Sequence, residues 1–210
     1  MSEAATDTTE DAFLGGQLRL RQPKSGHRAG HDAMLLAAAT PARSGDRVVD
    51  LGAAPGGWSQ IAAKRVGAAD GKGQVIAIDL LEMPEIAGVS FAQLDFLKQD
   101  APDRLRAMMG GAADVVLSDM AANTTGHRKT DQLRILGLVE SAAAFACEML
   151  NPGGTFLAKA FQSGADADLL AQLKRDFASV RHVKPAASRQ DSSERYVLAT
   201  GFRGGPKTPA

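Results

Sequence analysis

Acidic residues and a glycine-rich turn stand where apolar runs of this chain stop, and their spacing suits an adenosine-sized ligand. Arg47-Val-Val-Asp-Leu51 runs into Gly52-Ala-Ala-Pro-Gly-Gly-Trp58. Glycines at 52, 56 and 57 let the backbone approach a ligand and turn sharply into a helix. Gln74-Val-Ile-Ala-Ile-Asp79 ends in a carboxylate, which from a strand end can accept both hydroxyls of a ribose. Asp95 follows the run Val89–Leu94, and its carboxylate can accept from an adenine amino group. The alternative is that these acids cap turns or helices. A dinucleotide fingerprint needs a second glycine where Ala54 stands, so pyrophosphate binding is disfavoured. No Gly-Lys-Ser/Thr follows, so this is not a Walker loop.

Such residues need a scaffold that presents strand ends together. Apolar runs predict strands at 47–51, 74–79, 89–94, 113–118, 155–161, 180–183 and 195–202. Helical spacing falls between them, at 56–66, 100–109, 130–150 and 165–177. Alternation of this kind predicts an α/β, Rossmann-like fold: a seven-stranded, mostly parallel sheet with helices on both faces. The expected layout is a disordered tail over 1–12, a helical, basic leader over 13–46, one catalytic domain over 47–203 and a second disordered tail over 204–210.

Of 210 residues, 44% are hydrophobic and 23% charged, an ordinary globular mix for one domain with a substantial core. Basic and acidic side chains balance at 24 each, against the basic excess usual in a nucleic-acid enzyme. The distribution is less even. Six basic residues lie between Gln17 and Arg47, opposed by Asp32 and Asp46, and eight lie between Gln172 and the last residue. These two ends can form one positive surface or remain separate solvated faces. The one cysteine, Cys147, sits in an apolar helical run and reads as a buried thiol, consistent with a reducing cytoplasm. No signal-peptide pattern or bilayer-length apolar run is present, so no membrane contact is expected. No apolar surface stripe is evident, and a monomer is expected.

At Asp50-Leu-Gly-Ala-Ala-Pro-Gly-Gly-Trp-Ser-Gln60 the chain resembles the FtsJ-like 23S ribosomal RNA uridine 2′-O-ribose methyltransferases. The likeness continues through Ile78-Asp-Leu-Leu81, Leu117-Ser-Asp-Met-Ala-Ala-Asn123, 153–162 and 184–201. The resemblance implies S-adenosylmethionine as cofactor, large-subunit ribosomal RNA as partner and no metal. It assigns cofactor binding to Gly52, Gly56, Trp58, Asp79, Asp95 and Asp119. The family's catalytic set is Lys-Asp-Lys-Glu, and Asp119, Lys159 and Glu194 match three of its members. Methyl transfer from a sulfonium asks the protein to hold a weak nucleophile in line and let its proton go. An unperturbed lysine has a pKa of about 10.4, so Lys159 either acts as base in a shifted state or orients the ribose while water takes the proton.

The front end departs from this pattern, because Asp32 stands nearest the expected first lysine. The segments 13–22 and 32–36 instead resemble the start of the tRNA adenine-N6 methyltransferases. Those enzymes grip an amino group with Asn-Pro-Pro-Tyr, where this chain has Ser118-Asp-Met-Ala-Ala. The sequence thus reads as a mosaic, a chimera of one family's leader and another's catalytic body. Alternative readings are a tRNA or other RNA methyltransferase directed by the leader, or a cofactor-binding scaffold with little turnover.

Overall fold

The structure, a computed structural model, describes residues 8–16, 18–24, 40–121, 125–161, 166–184 and 194–205. Two strands, β1 (Thr8–Phe13) and β2 (Leu18–Pro23), precede seven more: β3 (Arg47–Leu51), β4 (Gln74–Asp79), β5 (Val89–Gln93), β6 (Ala113–Ser118), β7 (Leu150–Phe161), β8 (Phe177–Val183) and β9 (Glu194–Phe202). Among the described residues, four α-helices lie between these strands: α1 (Gly57–Val66), α2 (Ala101–Met109), α3 (Arg128–Met149) and α4 (Ala167–Asp176).

The seven later strands form one sheet in the order β5-β4-β3-β6-β7-β9-β8. Pairing is parallel from β5 to β7, and β9 runs antiparallel to both β7 and β8. This is the predicted fold class. The central strands are Val/Ile/Leu-rich because both faces are covered. Alternate residues feed two apolar layers. Val49, Ile76, Val116, Phe156 and Val197 face α2, α3 and α4, with Phe145, Leu105 and Leu173. Val48, Val75, Leu117, Leu157 and Tyr196 face α1, with Trp58, Ile61 and Val66. Helix α1 starts after Gly56 (φ 101°) and stops at Gly67 (φ 70°), whose left-handed conformation returns its N–H to Ala63 O.

Over residues 8–13 and 18–23 the structure differs from the expected tail and helical leader. Residues 8–13 and 18–23 pair as an antiparallel hairpin. The signal was present in Leu18-Arg-Leu-Arg-Gln22, whose period of two is that of a strand. Phe13, Leu18 and Leu20 are buried in the α1-side layer, and Gln60 Nε2 donates to Arg19 O at 3.1 Å. Each such side chain contributes about 1.5–3 kcal/mol when fully buried. The hairpin is therefore docked on the sheet domain. Strand β7 also starts earlier than expected: Leu150 pairs with Ala113 ahead of the Pro-Gly-Gly turn, and the register then shifts. The remainder of the leader, 25–39, and the last five residues lie outside the described residues.

Candidate active site

The chain builds outward from β3 to β4 and β5, then crosses to the other side of β3 to place β6. That reversal leaves a crevice beyond the carboxyl ends of β3 and β6, where open α/β sheets bind ligands. The glycine loop and Asp119 occupy it. Gly52 N and Ala53 N both donate to Ile78 O, at 2.9 and 3.0 Å, so the loop folds across the end of β4. Asp119 N donates to Leu51 O at 3.0 Å, tying the other wall to β3. Gly52 has φ 75°, and a Cβ there would lie 2.9 Å from Met120 Cα, so no larger residue fits.

A cavity of about 470 Å³ opens here. Its walls include Gly52, Asp79, Asp95 and Asp119, with the apolar side chains of Leu80, Phe96, Leu97 and Met120. The volume lies in the range of small-molecule sites. Both strand-end acids also perform the turn-capping role. Asp79 Oδ2 accepts from Ala54 N at 2.9 Å and Oδ1 from Leu81 N at 2.8 Å, while Asp95 Oδ1 accepts from Leu97 N at 3.0 Å. A carboxylate oxygen has a second acceptor direction, so capping and ligand binding are compatible.

Lys159 is almost fully buried on β7, in register with Tyr196 of β9, and its Nζ lies 2.9 Å from Asp119 Oδ1. The sheet thus brings together Gly52, Asp79, Asp95, Asp119 and Lys159. Gly56 and Trp58 are not among the cavity's walls. Gly56 sits under Met83 and Ile86, and the Trp58 ring is buried against Tyr196 at 5.9 Å. Glu194 opens β9 opposite Phe161, but its side chain, like the whole of Asp32, lies outside what is described.

Sequence reasoning passed over Asp50. Its side chain is inaccessible to solvent inside β3, Oδ2 accepts from Ser59 Oγ at 2.6 Å, and Oδ1 meets no partner among the described residues. Burial pushes its carboxyl up to about 7, opposed by the Ser59 hydroxyl and reinforced by the Asp119 and Asp79 carboxylates. The signal was a carboxylate within an otherwise apolar strand. Cys147 is half-buried and inert, its thiol raised to about 11 chiefly by burial. Among the described residues no His, Cys, Asp and Glu group could hold a metal, and no helix is long and apolar enough to cross a membrane.

The basic ends are partly consumed internally. Arg19 pairs with Glu10 at 2.8 Å, Arg175 with Asp176 at 3.0 Å, and Arg47 is bonded to Gln74 and Met109 O. Arg21, Arg181 and Lys184 are exposed. Val183 packs on the same apolar layer as the hairpin, which brings the two ends of the chain to one side of the sheet.

A family model described as FtsJ-like methyltransferase matches residues 32–202. The ribosomal RNA large subunit methyltransferase E of Bradyrhizobium diazoefficiens is 84% identical over 165 residues, 79% of this chain and 72% of that protein. That of Afipia carboxidovorans is 82% identical over 163 residues, 78% of this chain and 72% of that protein. Among solved structures, a ribosomal RNA methyltransferase from Plasmodium falciparum superposes with a TM-score of 0.68 at 27% identity, covering 78% of this chain and 90% of that one. An SAM-dependent O-methyltransferase from Thermotoga maritima shares the fold, with a TM-score of 0.53 at 15% identity over 83% of this chain and 65% of that one.

Proposed function

The chain belongs to the FtsJ-like methyltransferase family, and from that premise we propose that it methylates the ribose 2′-hydroxyl of a uridine in large-subunit (23S) ribosomal RNA, with S-adenosylmethionine as donor. The observation that carries this reading is the buried Lys159–Asp119 pair set against a cavity at the sheet's reversal point. The cavity suits the donor in charge as well as size. Asp79, Asp95 and Asp119 line it, which favours a cation and disfavours a pyrophosphate.

In this reading Asp79 accepts from the ribose hydroxyls of the donor and Asp95 from its adenine. The exposed Leu80, Leu81 and Leu97 cover the base. Gly52 lets the backbone close over the ligand, and Gly56 and Trp58 serve through the start of α1, the tryptophan as a packed support. When bound, the donor supplies a methyl carbon already activated by its sulfonium. What remains for the protein is alignment and electrostatics. Asp119 holds Lys159 as a charged donor, aimed at the 2′-oxygen of the acceptor ribose. With the donor bound, water would take the proton of the hydroxyl that Lys159 aligns. Glu194, at the mouth of β9, completes the set. Exposed Arg21, Arg181 and Lys184 contact RNA phosphates, a sequence-independent and salt-sensitive contribution.

One observation favours a second reading. The hairpin lies before residue 32, outside the family match, and docks beside the first turn of α1. A leader placed there can redirect the enzyme to tRNA or another RNA. Methyl transfer to undermethylated large subunits tests the first reading, comparing the chain with Lys159→Ala. Activity that survives this substitution unchanged contradicts the assignment.

A further inference from the structure

Asp50 is the most costly side chain in the central strand. Val48, Val49 and Leu51 around it are wholly buried, as is Asp50 itself. Its Oδ2 is engaged by Ser59 on α1, and its Oδ1 has no bond among the described residues. A structural carboxylate normally has its oxygens satisfied, because a buried unpaired polar atom is penalised. The nearby charges are the wrong ones for an anion: Asp79 at the end of β4 on one side and Asp119 after β6 on the other. Lys159 on β7 is already committed to Asp119. On α1, the basic residues Lys64 and Arg65 sit in the last turn, at the opposite end of the helix from Ser59. Two of the three carboxylates, Asp79 and Asp119, line the cavity.

We propose that Asp50 is the counter-charge for the cationic end of the methyl donor, holding a proton in the free protein and releasing it when the donor binds. This rests on the cofactor reading above. An added positive charge turns the repulsion among three carboxylates into a favourable arrangement. The Asp50 O–H bond then breaks with its electron pair left on the carboxylate, and the proton passes to the buffer. One positive charge enters the site and one leaves, so the buried region keeps its balance. The Ser59 hydroxyl, already pointing at Oδ2, supports the ionised form. The carboxyl of the free protein, raised to about 7 by burial and its two acidic neighbours, keeps its proton up to near-neutral pH.

The test is calorimetric titration of the full chain with S-adenosylmethionine in buffers of different ionisation heat. At pH 6 the donor's own amine stays protonated, so the proton count reports the protein. About one proton should be released per donor at pH 6, falling toward zero above about pH 8, and affinity should rise by up to about tenfold per pH unit below 7. S-adenosylhomocysteine, neutral at sulfur, should release fewer protons. Asp50→Asn keeps the shape and the Ser59 bond and should bind without proton release. Absence of release from the native chain, equal release with both ligands, or unchanged release in Asp50→Asn overturns the proposal. Should Asp50→Asn not fold, the native proton count and pH–affinity curve decide alone. Binding without release refutes this inference and leaves the cofactor reading standing. A chain that binds neither ligand at any pH removes the cofactor reading and this inference with it.

Discussion

Replacing Asp79 by alanine should separate the ligand-binding role of this carboxylate from its role in holding the glycine loop. Its two oxygens accept from Ala54 N at 2.9 Å and from Leu81 N at 2.8 Å, and the residue also lines the cavity. Two effects follow. The ligand-free protein loses two charge-assisted loop anchors at a partly exposed site, about 1–2 kcal/mol. If Asp79 binds the donor's ribose as proposed, the complex also loses the acceptor for two hydroxyls. Hydrogen bonds to a charged group contribute roughly 1.5–3 kcal/mol each, and water offers partial replacement. A net loss of about 2–3 kcal/mol in cofactor binding is therefore expected, or about 30- to 150-fold in Kd.

The assay is calorimetry with S-adenosylhomocysteine and with its 2′,3′-dideoxy analogue, on both the native chain and the variant. If Asp79 grips the ribose, removing the carboxylate and removing the hydroxyls should overlap strongly, with a coupling of about 1–2 kcal/mol in the four-way cycle. Additive losses would mean that Asp79 acts only through the loop. Unchanged affinity in a folded variant would refute the ribose assignment outright.

Other expectations follow from the same geometry. Leu20→Ala removes a wholly buried side chain between the hairpin and α1 and should cost about 2–4 kcal/mol in urea unfolding; a cost near zero would mean the leader is not docked. The Asp50 carboxyl is raised from 3.8 to about 7 in the folded state, so its ionisation opposes folding. Its penalty is absent below about pH 4, grows as pH rises and is complete above about pH 7, at most roughly 4 kcal/mol. Asp50→Asn should therefore gain stability over the native chain as pH rises from 4 to 8, and a constant difference would contradict that account. If Asp32 takes the place of the lysine that the resemblance expects, its anion would repel phosphate, and Asp32→Lys should raise turnover on large subunits by about a hundred- to a thousandfold, on the order of 1.4 kcal/mol per decade, while leaving cofactor affinity unchanged.

The parts of the fold that were readable were those with one dominant signal. Val48-Val49, Val75 to Ile78 and Val115 to Leu117 are short apolar runs rich in β-branched residues, as strands covered on both faces require, and glycines mark where they turn. The strand-end acids were readable for the same reason, since a strand's end fixes where a carboxylate emerges. The hairpin was missed because six basic residues drew the reading toward a charged helical leader and away from the alternation of Leu18 and Leu20 with Arg19 and Arg21. Trp58 was assigned to the ligand by the family resemblance, yet the ring turns inward to Tyr196, which no local pattern reveals. The pairing of Lys159 with Asp119 joins residues 40 positions apart on adjacent elements, so it needed the β6–β7 register. Asp50 was overlooked because a buried strand absorbs one odd residue without losing its pattern. Its significance comes from Ser59 and from two carboxylates at the ends of other strands.

Which atom of RNA receives the methyl group tests the ribose assignment most directly. Large ribosomal subunits lacking the modification, incubated with the protein and isotopically labelled S-adenosylmethionine, can be digested to nucleosides and resolved by mass. The predicted product is 2′-O-methyluridine, formed by the native chain and lost with Lys159→Ala. Label in N6-methyladenosine, or in any base-methylated nucleoside, would contradict the ribose assignment and place the leader, not the Lys159–Asp119 pair, in control of the chemistry.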